Sequence, residues 1–151
     1  MNLHKQIGVA AVELALIMVP MMVLCFGIVE VSRALYYYNG LVKSTRGAAR
    51  YLTGKDLNAD YATDVAIAKK IAVCGTLSCD DTMATLVPGL TRGNVFVTID
   101  PYKNVQTGKG TVSLVSVSIS GVSFQPMLPF SIGPASFPFG EVKTTMAWSA
   151  R

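Results

Sequence analysis

The stretch from Gly8 to Val29, GVAAVELALIMVPMMVLCFGIV, constrains the chain more than any other. Its only ionisable groups are Glu13 and the weakly acidic Cys25, and Leu14 through Val29 carry no formal charge. A helix that crosses a membrane needs about 20 mostly apolar residues at about 1.5 Å each, and this run is long enough. The apolar excess of the 151-residue chain, 51% hydrophobic with a mean hydropathy of +0.44, collects here.

Three readings of the run compete. A secretory signal peptide has a shorter apolar core followed by a small-x-small cleavage site. Here the core instead runs into CFGIVEVSRALYYYN, which has no such site and stays compatible with helix. A plain single-span anchor explains the hydrophobicity but not Glu13, because a carboxylate near the bilayer edge costs a few kcal/mol, about 2–4, unless it snorkels or meets a cation. The third reading starts from the polar leader, which contains Lys5 and ends at Gly8. A cut after Gly8 makes Val9 the first residue and Glu13 the fifth.

That Gly-x-x-x-x-Glu arrangement resembles the type IV pilin signal, cleaved after its glycine by a prepilin peptidase at the inner face of the membrane. The longer stretch GVAAVELALIMVPMMVLCFGIVEVSRALYYYNGLVKSTRGAARYLT resembles the TadE-like family, the minor pilins or pseudopilins of tight-adherence (Flp) pilus systems. The features that carry it are the processing site, an apolar run interrupted by Pro20, the FGIVEVSR exit and a helical AAR stretch ending in Tyr-Leu, about the first third of the chain. The resemblance implies that Glu13 faces the freed amine of Val9 on a neighbouring subunit, a pairing that offsets much of the desolvation an isolated carboxylate would bear.

Read from the residues alone, the helix continues past the membrane. Ile28, Val31, Leu35, Tyr38, Val42, Ala49 and Leu52, with Thr45 in the remaining place, recur at the spacing of an amphipathic seam. Pro20 removes a backbone donor and is expected to bend or open the helix. Gly40, Gly47 and Gly54 fall on one stripe, read either as a site of close helix approach or as fraying toward a loop. Cys25 is most simply a small apolar residue of the span.

A shorter helix follows, with Asp60 as its N-cap, Tyr61, Val65, Ala68 and Ala72 along one side, and Lys69 and Lys70 late in it. Cys74 and Cys79 then bracket GTLS, too wide for a Cys-x-x-Cys redox site. A disulfide closing a small loop is the favoured reading, implying an oxidising compartment, with two reduced structural cysteines as the alternative. The last sixty or so residues read as sheet: NVFVTID, TVSLVSVSIS and EVKTTMAWS alternate, the last placing Val142, Thr144, Met146 and Trp148 on one face. DPYKNVQTGKG between the first two reads as turn, and the phase shift at Leu114 and Val115 implies a bulge or a strand buried on both faces. The proline-rich QPMLPFSIGPASFPFG reads as a long connection whose Phe130, Phe137 and Phe139 either mark a contact surface or cover the domain's own sheet.

Chemistry finds little footing. Asp56, Asp60, Asp64, Asp80, Asp81 and Asp100 read as capping or solvated turn residues. The one histidine, His4, lies in the leader, so the region after the span has no histidine for a Ser-His-Asp triad or a zinc shell. A net charge of +4 without a basic run does not suggest nucleic acid. No enzyme, metal or cofactor is expected.

Orientation is contested within the sequence, since Lys5 precedes the span but Arg33, Lys43 and Arg46 follow it closely. The cysteine pair and the resemblance favour a cytoplasmic leader and a periplasmic carboxy-terminal domain. The expected architecture is α+β and pilin-like: residues 1–8 as leader, 9–54 as transmembrane and amphipathic assembly helix, and 55–151 as a head with a short helix and an antiparallel sheet of about three to four strands. The resemblance implies a processed subunit of the inner membrane, partnered by prepilin peptidase, other pilin or pseudopilin subunits and lipid, able to enter a surface pilus. The alternative is an unprocessed, membrane-anchored periplasmic binding module.

Overall fold

The computed structural model describes residues 3–55, 61–80, 83–99, 105–108, 110–127 and 136–148. It is α+β. A long helix α1 (Leu3–Thr53) is followed by α2 (Tyr61–Cys74), a 3-10 turn (Arg92–Asn94) and strands β1 (Val95–Thr98), β2 (Val105–Thr107), β3 (Gly110–Ile119), β4 (Ser123–Phe124), β5 (Phe137–Pro138) and β6 (Val142–Trp148). The predicted N-cap Asp60 lies outside the described residues, as do Asp56, Asp81, Asp100 and Phe130.

α1 runs through Pro20 as one helix. Its end is tightened by the Gly54 and Lys55 amides, which donate to the carbonyls of Tyr51 and Leu52, so Gly54 stands just past the last turn. Residues 8–29 are exposed all round. From Glu30 onward one stripe turns inward, and Leu41, Ser44, Thr45, Ala48, Ala49 and Leu52 are buried.

This stripe corrects the predicted seam. Ile28, Val31, Leu35 and Tyr38 are exposed, and only Thr45, Ala49 and Leu52 of the predicted seam are fully buried. The large aliphatic side chains suggested one face, whereas the helix is buried where small residues let other backbones come near. Gly40 is the clearest case, since a Cβ there would lie 2.9 Å from Val87 Cγ2, while one on Gly47 would meet Ile71 at an ordinary 3.8 Å.

α2 packs on this stripe through Asp64, Ala68, Ala72 and Val73, and the Ser44 hydroxyl donates to the Ala72 carbonyl across the two helices. Tyr61, expected on the packed side, is exposed, and Val65 is half-buried. The packed face is rotated toward Asp64 because the half-buried Tyr51 of α1 donates to that carboxylate. Gly75 ends α2 in the left-handed region at φ 78°, its amide donating to the Ile71 carbonyl.

β3 is the spine of a four-stranded sheet, pairing antiparallel with β1, β2 and β6. The β3–β6 register steps evenly from Ser113↔Trp148 to Ile119↔Val142. The phase shift therefore marks a strand covered on both faces: Val115, Val117 and Ile119 are buried on one side, and Ser116, which accepts from the Thr145 hydroxyl, on the other. β2 forms within the stretch read as turn, Thr107 pairing with Gly110 at a tight reversal. α1 lies on this sheet, and the hydroxyls of Thr45 and Thr144 meet at 2.9 Å. β4 and β5 make a separate two-stranded ribbon near the middle of α1.

Candidate functional site

The functional candidates lie along α1, in three tiers. The lowest is the bare rod. Val9 and Glu13 are one helical turn apart on the same side, both exposed, and nothing lies within 4 Å of a Cβ built on Gly8. Two ion pairs occur among the described residues, Glu30–Arg33 and Lys55–Asp64, and neither involves Glu13. The helix is long and apolar enough to cross a membrane, and its apolar stretch is not buried by the other described residues.

The second tier is a collar at the exit from the rod. Glu30 and Arg33 pair at 2.7 Å one turn apart, and the Met127 amide donates to the other Glu30 oxygen at 3.0 Å. The Arg33 guanidinium lies 5.4 Å from the Phe124 ring centre and 5.8 Å from that of Tyr37. Tyr37 packs on Phe124, Phe124 on Phe139, and Phe139 on Tyr38. Of the proline-rich segment's aromatics, Phe139 thus covers the domain's own helix and ribbon, while Phe137 stays exposed. From the sequence, Arg33 counts only toward orientation, and no role falls to Glu30 or to the pair. The usable signal was an acid and a base three residues apart directly after the last apolar residue of the run.

The third tier locks the head to the upper end of α1. The Tyr51 hydroxyl donates to Asp64 Oδ1 at 3.0 Å, and Lys55 Nζ lies 4.0 Å from the same carboxylate and 5.2 Å from the Tyr51 ring. The Trp148 indole N–H donates to the Lys55 carbonyl at 2.8 Å. Asp64 is therefore a buried, hydrogen-bonded carboxylate and not the capping or solvated group expected. Desolvation, then the bond to Asp64, raises the Tyr51 pKa above its ordinary value.

Cys74 and Cys79 form the expected disulfide, their Cα atoms 5.8 Å apart. It pins the end of α2 to a loop further held by Arg92, which donates to the Cys79 carbonyl at 3.1 Å. Asp80 is exposed, its carbonyl accepting from the Met83 amide in a turn. Among the described residues no three His, Cys, Asp or Glu side chains come together in a way that could hold a metal.

A search of curated proteins and one of solved structures found no match. Residues 8–50 match the family model described as TadE-like protein. The matched segment takes in the rod, the collar helix and most of the buried stripe, so the similarity to the TadE-like family lies in the amino-terminal helix.

Proposed function

We propose that this chain is a minor pilin or pseudopilin of a tight-adherence (Flp) pilus system. It inserts with its leader in the cytoplasm, is cut after Gly8 by a prepilin peptidase, and packs against other pilin subunits through α1. The observation that carries this reading is the position of Glu13. It is the one carboxylate in an exposed apolar rod, a single turn from Val9, in a segment that matches a TadE-like model. Cleavage turns the Val9 nitrogen into a cation. Glu13 of one subunit pairs with that amine on the next, which sets the register between subunits and removes the cost of an unpaired charge at the membrane rim. The Cys74–Cys79 disulfide supports a head in the periplasm.

The test is the mass and amino-terminal sequence of the protein from cells with and without prepilin peptidase. Material starting at Val9 only when the peptidase is present is the expected result. Material starting at Met1 in both would instead favour the unprocessed periplasmic binding module. Glu13→Ala is expected to insert normally and be cut, yet to lower pilus assembly and surface adhesion.

A further inference from the structure

The collar fixes the height of a second apolar feature. Leu14 through Val29, free of charge, span about 24 Å, and Gly8 through Val29 about 33 Å, at about 1.5 Å per residue. A hydrocarbon core is about 30 Å thick, with a polar layer about 5–8 Å deep on each side. With Glu13 held at one rim, the run to Glu30 falls a few Å short of the full core at about 1.5 Å per residue. Glu30 therefore sits no higher than the other rim and cannot stand clear of the polar layer. Met127 is tied to that level because its amide donates to the Glu30 carboxylate. Its side chain is 76% exposed, and none of the other large apolar side chains described is more so. Arg33 holds Glu30 in place from the helix side while stacking on Phe124 of the β4 ribbon, so Phe124 and Met127 are braced at the same level of α1.

We infer that Met127, shortly after β4, is a second membrane contact, seated in the polar layer of the outer face of the bilayer. The occupant is the lipid surface itself. The inference rests on the membrane-spanning reading of α1. An exposed thioether on a flexible, unbranched chain is suited to this layer, where it can follow the packing of acyl chains and headgroups without a shaped pocket. The head then meets the membrane at two points, the rod and Met127, which restricts its tilt and rotation before assembly.

Nitroxide depth measurement on the full chain tests this in phosphatidylethanolamine and phosphatidylglycerol vesicles. In a Cys25→Ala background, labels are placed through Met127→Cys, through Leu16→Cys in the rod, and through Gln106→Cys at the far end of the head. Gln106 pairs with Thr111, two residues from the Ser113 that pairs with Trp148, and Trp148 is bonded to Lys55 beyond the upper end of α1. The expected result is an oxygen-to-nickel-chelate accessibility ratio at Met127 several-fold above that at Gln106 and below that at Leu16. Glu30→Ala, which removes the acceptor for the Met127 amide, is expected to bring the Met127 ratio toward that of Gln106. A Met127 ratio equal to that of Gln106, with Leu16 deep in lipid, overturns the contact and leaves the span intact. A water-accessible Leu16 overturns the membrane reading and the inference with it. Spin–spin broadening at Met127 that grows with protein density points to a second copy as the occupant and also overturns it. A Met127 depth unchanged in Glu30→Ala overturns the role given to the collar.

Discussion

Leu16 and Leu52 are the same residue on the same helix, yet Leu16 is 71% exposed and Leu52 has no exposed surface. Below Glu30 none of the described residues covers α1 from Gly8 onward, although that half is the more apolar. Above it, α2 and the sheet cover a stripe made largely of alanine, serine and threonine. Burial inside the protein thus follows how closely another backbone can approach and not the hydrophobicity of the side chains. The uncovered half is left to a medium that the single chain does not supply. An apolar circumference without polar relief suits lipid or the helices of other subunits, whereas a narrow stripe of small residues suits one protein partner.

The largest expected effect separates these two leucines. Leu52→Ala should destabilise the head by about 2–5 kcal/mol, the usual range for deleting a buried leucine side chain. Leu16→Ala should leave head stability unchanged. Trp148, buried and the one tryptophan of the chain, reports the transition by its fluorescence during denaturant unfolding in detergent. Equal losses at the two sites would mean that the rod half is covered by the protein after all.

The disulfide comes next. It closes a short loop at the end of α2, far from the rod, and removing it through Cys74→Ser with Cys79→Ser should cost about 2 kcal/mol by loop-closure entropy. The same fluorescence transition measures it, and reduction of the wild-type chain should reproduce the shift. Insertion of the rod should be unaffected, since the bond constrains the head alone.

How much of this was legible in advance follows from the kind of signal each part carries. The rod and Glu13 stand out because hydrophobicity and charge along one segment can be read without knowing what surrounds it. The alternation of Val115, Val117 and Ile119 gave β3 for the same reason, and the spacing of Cys74 and Cys79 pointed to a closed loop. The inward stripe of α1 was misread because Ser44, Thr45 and Ala48 look indifferent until Ala72, Thr144 and the rest of the head are placed against them. Asp64 looked like a solvated acid because its partner Tyr51 lies on a different helix. The short strand β2 was hidden in a segment rich in turn residues, where pairing with β3 decides the outcome. Each miss involves a contact between elements, which local pattern does not encode.

A smaller effect sharpens the point about close approach. Gly40 and Gly47 lie two turns apart on α1, and each would gain helix propensity, about 1 kcal/mol, on becoming alanine. Gly40→Ala should nevertheless destabilise by about 1 kcal/mol net, since overpacking costs about 1–3 kcal/mol and the Val87 methyl, 2.9 Å from the new Cβ, is on a stiff β-branched side chain. Gly47→Ala should stabilise by up to about 1 kcal/mol, its Cβ making only ordinary contact with Ile71. Opposite signs from the same substitution would show that the stripe is specified at Gly40 and merely tolerated at Gly47.

The smallest effect is one of pH, at the upper lock. Tyr51 is held protonated beyond its ordinary pKa of 10.0, first by desolvation and then by donating to Asp64, so the folded chain keeps this proton when the unfolded chain has begun to lose it. The stability it contributes is complete below about pH 10 and is lost as pH rises through the folded value. In the wild type the unfolding midpoint should therefore fall above pH 10, and Tyr51→Phe should remove part of that fall while also lowering stability at neutral pH through the lost hydrogen bond to Asp64. The lower half of α1 offers no counterpart, because no tyrosine precedes Tyr36 in the sequence. An alkaline slope that persisted undiminished in Tyr51→Phe would assign the loss to other groups and reduce the Tyr51–Asp64 contact to a purely geometric tie between the helices.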